Sequence, residues 1–311
     1  MTRWPVIIIG GLASALFCGL ATTGSLGGLV LAYFCQLPLF LVGLSMGAAA
    51  STIAGAFAAV AMAVLGGLIG ALTFIVLNVA PVALLVRQAL LSRQDESGNT
   101  QWYPPGLLVG AATVLAAAIY TAAMLFLALQ PEGLTESLRT FVGGFADQIL
   151  APGQAEQREQ LIDIIAPLLP GSVAASWLVM IFVNAGLAQR LLVKLGRGLR
   201  PSPNYGESEL PRWLLPATAA AAAVGLLLPD PFGLFGGNLA MLLAVPFLLI
   251  GLAVVHVMCR NVAAGRMLLI LFYVLMLILG WPLLIVAVLG CVEQFAGLRR
   301  RFAAAGPDEE V

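Results

Sequence analysis

The sequence predicts an all-α protein: a polytopic transmembrane helical bundle of about eight to ten spans, with amphipathic surface helices in 130–170. Three observations predict it. Of 311 residues, 61% are hydrophobic and only 10% are charged, with mean hydropathy +1.01, whereas a soluble domain carries about 25% charged residues. The apolar residues fall into uncharged runs close to the roughly 20 residues needed to cross the hydrocarbon. Finally, Gly47, Ser51, Gly55, Ala59, Ala63 and Gly67 recur at every fourth position. On a helix this spacing makes a stripe of small residues, which lets a second backbone approach closely, as helices do in lipid.

Taken in order, the first span covers about 5–21. Arg3, an apolar run and Ala13-Ser14-Ala15 resemble a signal peptide, but the apolar character continues to Ala21 and favours an uncleaved helix. The second span, about 26–45, contains Pro38, where a kink is expected. The small-residue ladder occupies the third, about 47–66. The fourth, about 69–91, has Pro81 in mid-span. Gly66-Gly67-Leu68-Ile69-Gly70 lacks the Lys of a phosphate loop and reads as a tight turn between spans. A polar loop, Gln94–Gln101, precedes the fifth span at about 107–129.

Residues 130–170 differ in kind. They carry six carboxylates against Arg139 and Arg158, with Leu134, Leu138, Phe141, Phe145 and Ile149 at helical spacing and a second such run to Leu168. Both runs read as helices lying on the membrane surface or capping the bundle. Further spans follow at about 171–193, 213–228 and 238–258. The last apolar stretch breaks at Gly280-Trp281-Pro282 and reads as two helices, 262–279 and 282–298, with a kinked single span that leaves the arginine tail outside as the alternative. The whole chain, 1–311, reads as one integral membrane domain.

Charge placement sets the expected orientation. Lys and Arg gather in cytoplasmic loops, and here they cluster near Arg87–Arg93, Arg190–Arg212, Arg260–Arg266 and Arg299–Arg301. The acidic 130–170 region then lies outside, and both termini lie in the cytoplasm. The formal net charge of zero argues against a nucleic-acid partner. The lipid bilayer is the expected partner, beside a membrane protein or a small molecule.

Chemistry-bearing residues within the spans are few. The sequence has no H-E-x-x-H, no G-x-S-x-G and no paired carboxylates inside a span, so no enzyme, cofactor or metal site is expected. Cys18, Cys35, Cys259 and Cys291 form no close C-x-x-C pair and read as small apolar packing residues. The only histidine, His256, sits about one turn from Arg260, near the membrane edge. Asn78 and Asn184 lie deeper. Interhelical hydrogen bonding is the simpler reading of each asparagine. The sharper one is a solute site built from Asn78, Pro81 and Asn184, because a proline-broken span frees backbone carbonyls. Glu293 is expected to pair with a basic residue of 190–212, with Arg212 first, or else with Arg299 or Arg300, since an unpaired carboxylate at the hydrocarbon edge is costly, and the simpler alternative is a solvated carboxylate at the membrane surface.

Three short patterns carry a family resemblance: Leu289-Gly290-Cys291-Val292-Glu293-Gln294-Phe295-Ala296-Gly297-Leu298-Arg299-Arg300, the opening Leu210-Pro211-Arg212-Trp213, and Asn184 ahead of Ala188 and Leu191. Together they resemble the YybS-like family of uncharacterised bacterial integral membrane proteins. That family looks distantly similar to the S components of energy-coupling-factor transporters and to the shape-determining protein MreD. The resemblance implies a multi-pass protein of the bacterial cytoplasmic membrane. It would be either a transport-type subunit that binds a small solute or an envelope scaffold with no solute site.

Overall fold

The computed structural model describes residues 3–96, 98–150, 153–202, 209–260, 262 and 264–298. Its helices are α1 (Trp4–Gly19), α2 (Leu26–Tyr33), α3 (Leu37–Met46), α4 (Ala48–Phe74), α5 (Ala80–Ala89), α6 (Pro105–Ala128), α7 (Gly133–Ile149), α8 (Ala155–Ile165), α9 (Leu169–Lys194), α10 (Leu214–Leu227), α11 (Phe232–Arg260), α12 (Gly265–Leu279) and α13 (Pro282–Ala296). A two-stranded antiparallel hairpin, β1 (Ser92–Gln94) and β2 (Thr100–Trp102), stands where the sequence suggested only a polar loop. The architecture is a polytopic all-α bundle. Among the described residues six apolar stretches are long enough to cross a membrane, or seven if the bent pair α12–α13 counts as one span. Two compact units divide the chain: unit 1 holds 1–112 and 177–208, and unit 2 holds 113–176 and 209–311.

In unit 1 the longest apolar stretch, Ala48–Ala89 with 42 residues, is folded on itself. Gly67 takes φ 65° and ψ −169°, a conformation essentially reserved for glycine. A Cβ on Gly55 would lie 2.2 Å from Cγ1 of Val79. On one straight helix those residues would be roughly 36 Å apart. The stretch is therefore a hairpin of two arms, each close to the span length of about 20 residues. The ladder is buried through Ser51, Gly55 and Ala59, and it emerges exposed at Ala63 and Gly67. Gly47, with φ 101°, ends α3 and opens α4. Ser51 donates its hydroxyl to the Leu39 carbonyl across that bend. A second small stripe, Ala50, Ala54 and Ala58, is also buried, and a Cβ on Gly11 of α1 would meet the Ala54 carbonyl at 2.2 Å. The α4 helix thus packs backbone-close on two sides.

The expected kink at Pro38 is displaced. The break lies at 34–36, and Pro38 sits in the first turn of α3, where its missing N–H costs nothing.

In unit 2, α10 and α11 meet through Gly225, whose added Cβ would come within 2.6 Å of the Gly237 nitrogen. Helices α11 and α13 cross with equal closeness: a Cβ on Gly251 would sit 1.9 Å from the Val286 carbonyl oxygen, and one on Gly290 1.8 Å from that of Phe247. Helices α12 and α13 are bent by 119° at the Gly280-Trp281-Pro282 break. The surface pair α7–α8 buries Leu134, Leu138, Val142 and Ala146 with Ile162, and leaves Phe141, Phe145 and Ile149 exposed. Arg139 bridges Glu159 and Asp163, while Arg158 bridges Asp147 and Glu159.

Two outcomes check this packing. Gly290→Leu places a side chain where a backbone carbonyl already sits, so it is expected to abolish the folded monomer peak in detergent gel filtration, while Gly66→Leu, facing open space, leaves it intact. Gly67→Ala forces a strained conformation, and a loss of about 1–3 kcal/mol is expected in a denaturant titration.

Candidate functional site

The candidate site grows from one backbone defect in unit 1. Pro81 has no N–H, so the carbonyl four residues earlier, that of Leu77, loses its helical donor. The chain there widens into a π-helical turn, Ile75–Val79, a deformation often found at functional positions. In a bilayer no water replaces the lost bond, so other protein groups must. Two do. Gln36 donates from Nε2 to the Leu77 oxygen at 3.1 Å, and Trp177 donates from Nε1 to the same oxygen at 3.0 Å.

Gln36 belongs to a second defect. Between α2 and α3 the helical ladder is interrupted at 34–36, freeing more carbonyls. The Tyr33 oxygen accepts from Nδ2 of Asn184 at 2.9 Å, and the Cys35 oxygen accepts from the Ser14 hydroxyl. Asn184 Nδ2 also donates to the Met180 carbonyl one turn back in α9. Asn78 is tied to the same segment: its Oδ1 accepts from Cys35 Sγ at 3.2 Å and from Gln36 Nε2 at 3.3 Å. The two asparagines therefore converge on residues 33–36, together with the carbonyl that Pro81 frees.

The bookkeeping of donors and acceptors leaves a remainder. Gln36 and Asn184 are both 0% exposed, yet Gln36 Oε1 and Asn184 Oδ1 have no donor among the described residues. Gln88 Oε1 and Gln294 Nε2 are likewise unpaired, but in residues only half buried. Asn238 in unit 2 is the contrast. It is 5% exposed and satisfied at both ends, accepting from Gly171 N at 2.7 Å and donating to Pro167 and Leu234 carbonyls at 2.8 Å. Asn238 is a structural clamp. Asn184 has spare accepting capacity.

Reading the sequence singled out Asn78, Pro81 and Asn184 but passed over Gln36, Trp177 and Ser14. The available signal was polarity: Gln36 is the only amide between Thr23 and Asn78. His256 lies elsewhere, in unit 2, with Nδ1 2.8 Å from the Leu252 carbonyl and Nε2 3.4 Å from the Tyr273 hydroxyl. Among the described residues no three His, Cys, Asp or Glu side chains are grouped to hold a metal.

The expected Arg212–Glu293 pair is not formed: among the described residues no ion pair joins them. Glu293 is 5% exposed and engaged in an interaction of its own, while Arg212 is exposed at the head of α10. The reason is geometric. Glu293 follows Gly290 by three positions and so shares the helix face turned to α11. Arg299 and Arg300 lie outside the described residues.

Fold and charge define a polytopic integral membrane protein whose polar groups are gathered at broken helices. Within that class, the model of a family of predicted membrane proteins, DUF2232, matches residues 11–293, and the chain belongs to that family. This agrees with the resemblance to an uncharacterised membrane-protein family carried by its short motifs. No curated protein and no solved structure matches the chain.

The shared acceptor makes a prediction. Gln36→Leu and Trp177→Phe each remove one donor to Leu77, and each is expected to cost about 0.6–1.7 kcal/mol, the range for hydrogen bonds between membrane helices. Because one donor partly covers for the other, the double variant should lose more than the sum of the singles in a denaturation cycle in detergent.

Proposed function

We propose that this chain is a transport-type subunit of the bacterial cytoplasmic membrane, without catalytic activity of its own, that holds a small solute at the polar cluster of unit 1. The observation that carries this reading is the pair of fully buried, donorless oxygens, Gln36 Oε1 and Asn184 Oδ1, beside two interrupted spans. Interrupted helices with free carbonyls are the usual setting of solute sites in transporters. The described side chains of the cluster are neutral, and its spare groups are acceptors. A fitting solute therefore presents hydrogen-bond donors rather than negative charge.

Orientation is part of the proposal. Arg87, Arg93, Arg190, Lys194, Arg197 and Arg200 flank the spans on either side of the acidic α7–α8 segment in the sequence, and this charge asymmetry supports cytoplasmic termini with α7–α8 outside. Single cysteines at Gln154 and Ser202 should then label from opposite sides of the membrane.

An envelope scaffold without a solute site is the rival reading. Its support is α12, which buries only Gly265 and leaves Met267, Leu271, Leu275 and Ile278 exposed to lipid or to a second protein. Thermal-shift screening of the purified chain against vitamins, nucleobases and polyols separates the two. A bound solute at about one hundred times its Kd stabilises by about 2.7 kcal/mol. The expected result is a stabilising compound whose effect disappears in Asn184→Leu and persists in Arg212→Gln. A panel without any stabilising compound, or a shift that survives Asn184→Leu, favours the scaffold.

A further inference from the structure

The strongest feature outside the polar cluster is a cleft of about 390 Å³ in unit 1, lined by Leu91, Arg93, Gln101, Tyr103 and Leu107 among others. It is built on the β1–β2 hairpin and the start of α6, with Ser92, Trp102 and Pro104 also in its lining. Arg93 pairs with Gln101 in register, and Tyr103 N donates to the Leu91 carbonyl at 2.9 Å. By strand alternation Leu91, Arg93, Gln101 and Tyr103 therefore point to the same side.

The hairpin is anchored by a buried arginine. Arg200, 6% exposed, donates to the Ala89 carbonyl at 3.0 Å and to the Tyr103 carbonyl at 2.9 Å, and its guanidinium lies 6.0 Å from the Trp102 ring centre. Gln189 in turn donates to the Arg200 carbonyl at 2.9 Å. A buried cation thus fixes the hairpin, closing the C-terminal end of α5, where positive charge is favoured.

Its chemistry has two parts. Arg93 is exposed, its Nε is held by Gln101 Oε1 at 3.1 Å, and among the described residues it makes no ion pair, so its terminal nitrogens remain available. The Tyr103 hydroxyl and the Gln101 amide can supply further donors. Below them, Leu91 and Leu107 are large, exposed and apolar. The cleft lies between the end of α5 and the start of α6, and its lining includes Trp102 and Tyr103, residue types that collect at membrane–water interfaces.

We infer that this cleft is a binding site for an anionic phospholipid, with the phosphate on Arg93 and the upper acyl chain against Leu91 and Leu107. A guanidinium with adjoining donors matches a phosphate, and the apolar wall selects a lipid over a free anion. The inference does not rest on the solute reading, because it uses a different end of unit 1.

The test is native mass spectrometry of the full chain, delipidated in detergent and titrated with phosphatidylglycerol or phosphatidylcholine. The expected result is preferential retention of phosphatidylglycerol, weakened about fivefold by Arg93→Gln, as expected for removing one cation beside an anionic headgroup. Arg87→Gln removes a neighbouring charge outside the cleft and should change retention less than about twofold. Arg93 is exposed, so its replacement leaves folding intact, and an unchanged thermal transition in lipid-free detergent checks this. Equal retention of both lipids would overturn the inference, as would equal losses from Arg87→Gln and Arg93→Gln. Displacement of the lipid by an equal concentration of inorganic phosphate would reassign the cleft to a soluble anion and overturn it as well.

Discussion

The carbonyl of Leu77 is the point on which unit 1 turns. Pro81 removes its helical donor inside a segment that lipid surrounds, and an unsatisfied backbone group there costs several kcal/mol. Gln36 and Trp177 answer it from α2–α3 and α9, so one missing N–H fixes the register of three segments distant in sequence. The second break, at 34–36, is handled in the same way, by Ser14 and Asn184. Polar side chains here replace water as the partner of interrupted backbone.

Small residues do the complementary work. Without a hydrophobic drive between helices in lipid, association depends on close contact. Gly11 against Ala54, Gly55 against Val79, Gly225 against Gly237 and Gly290 against Phe247 each bring one helix to within the space a methyl group would fill. This contact carries its own constraint, because a larger residue has nowhere to go. The result is a protein whose tightest contacts are glycine to backbone, whereas Leu, Ile and Val fill much of its exposed surface.

The two asparagine sites show how similar residues acquire different roles. Asn238 has a donor and two acceptors within reach and is complete. Asn184 is equally buried, yet only its amide nitrogen is used. Their immediate sequences, Val-Asn-Ala and Gly-Asn-Leu, do not distinguish them. Arg200 was similarly hidden. It reads as one more cytoplasmic cation, but it is a buried clamp on a hairpin that the short, polar 92–102 stretch did not announce, since neither three-residue strand has an apolar alternation to betray it.

The sequence by itself determined that the protein lives in a membrane and that it is helical, because long uncharged apolar runs of helical length and the need to satisfy every backbone group favour helices in lipid. It also determined the fold-back at Gly66-Gly67, since a glycine pair between two span-length arms is a turn whatever surrounds it. Only the tertiary structure decided which small stripes face which helices, that the Pro38 span breaks ahead of its proline, and that Glu293 is buried without an ion pair to Arg212. Those outcomes depend on which partner occupies the neighbouring space, and a local pattern of residues contains no information about its neighbour. The polar cluster lies between the two cases. Its asparagines and its proline were visible one at a time, but the oxygens left without donors exist only where three distant segments meet.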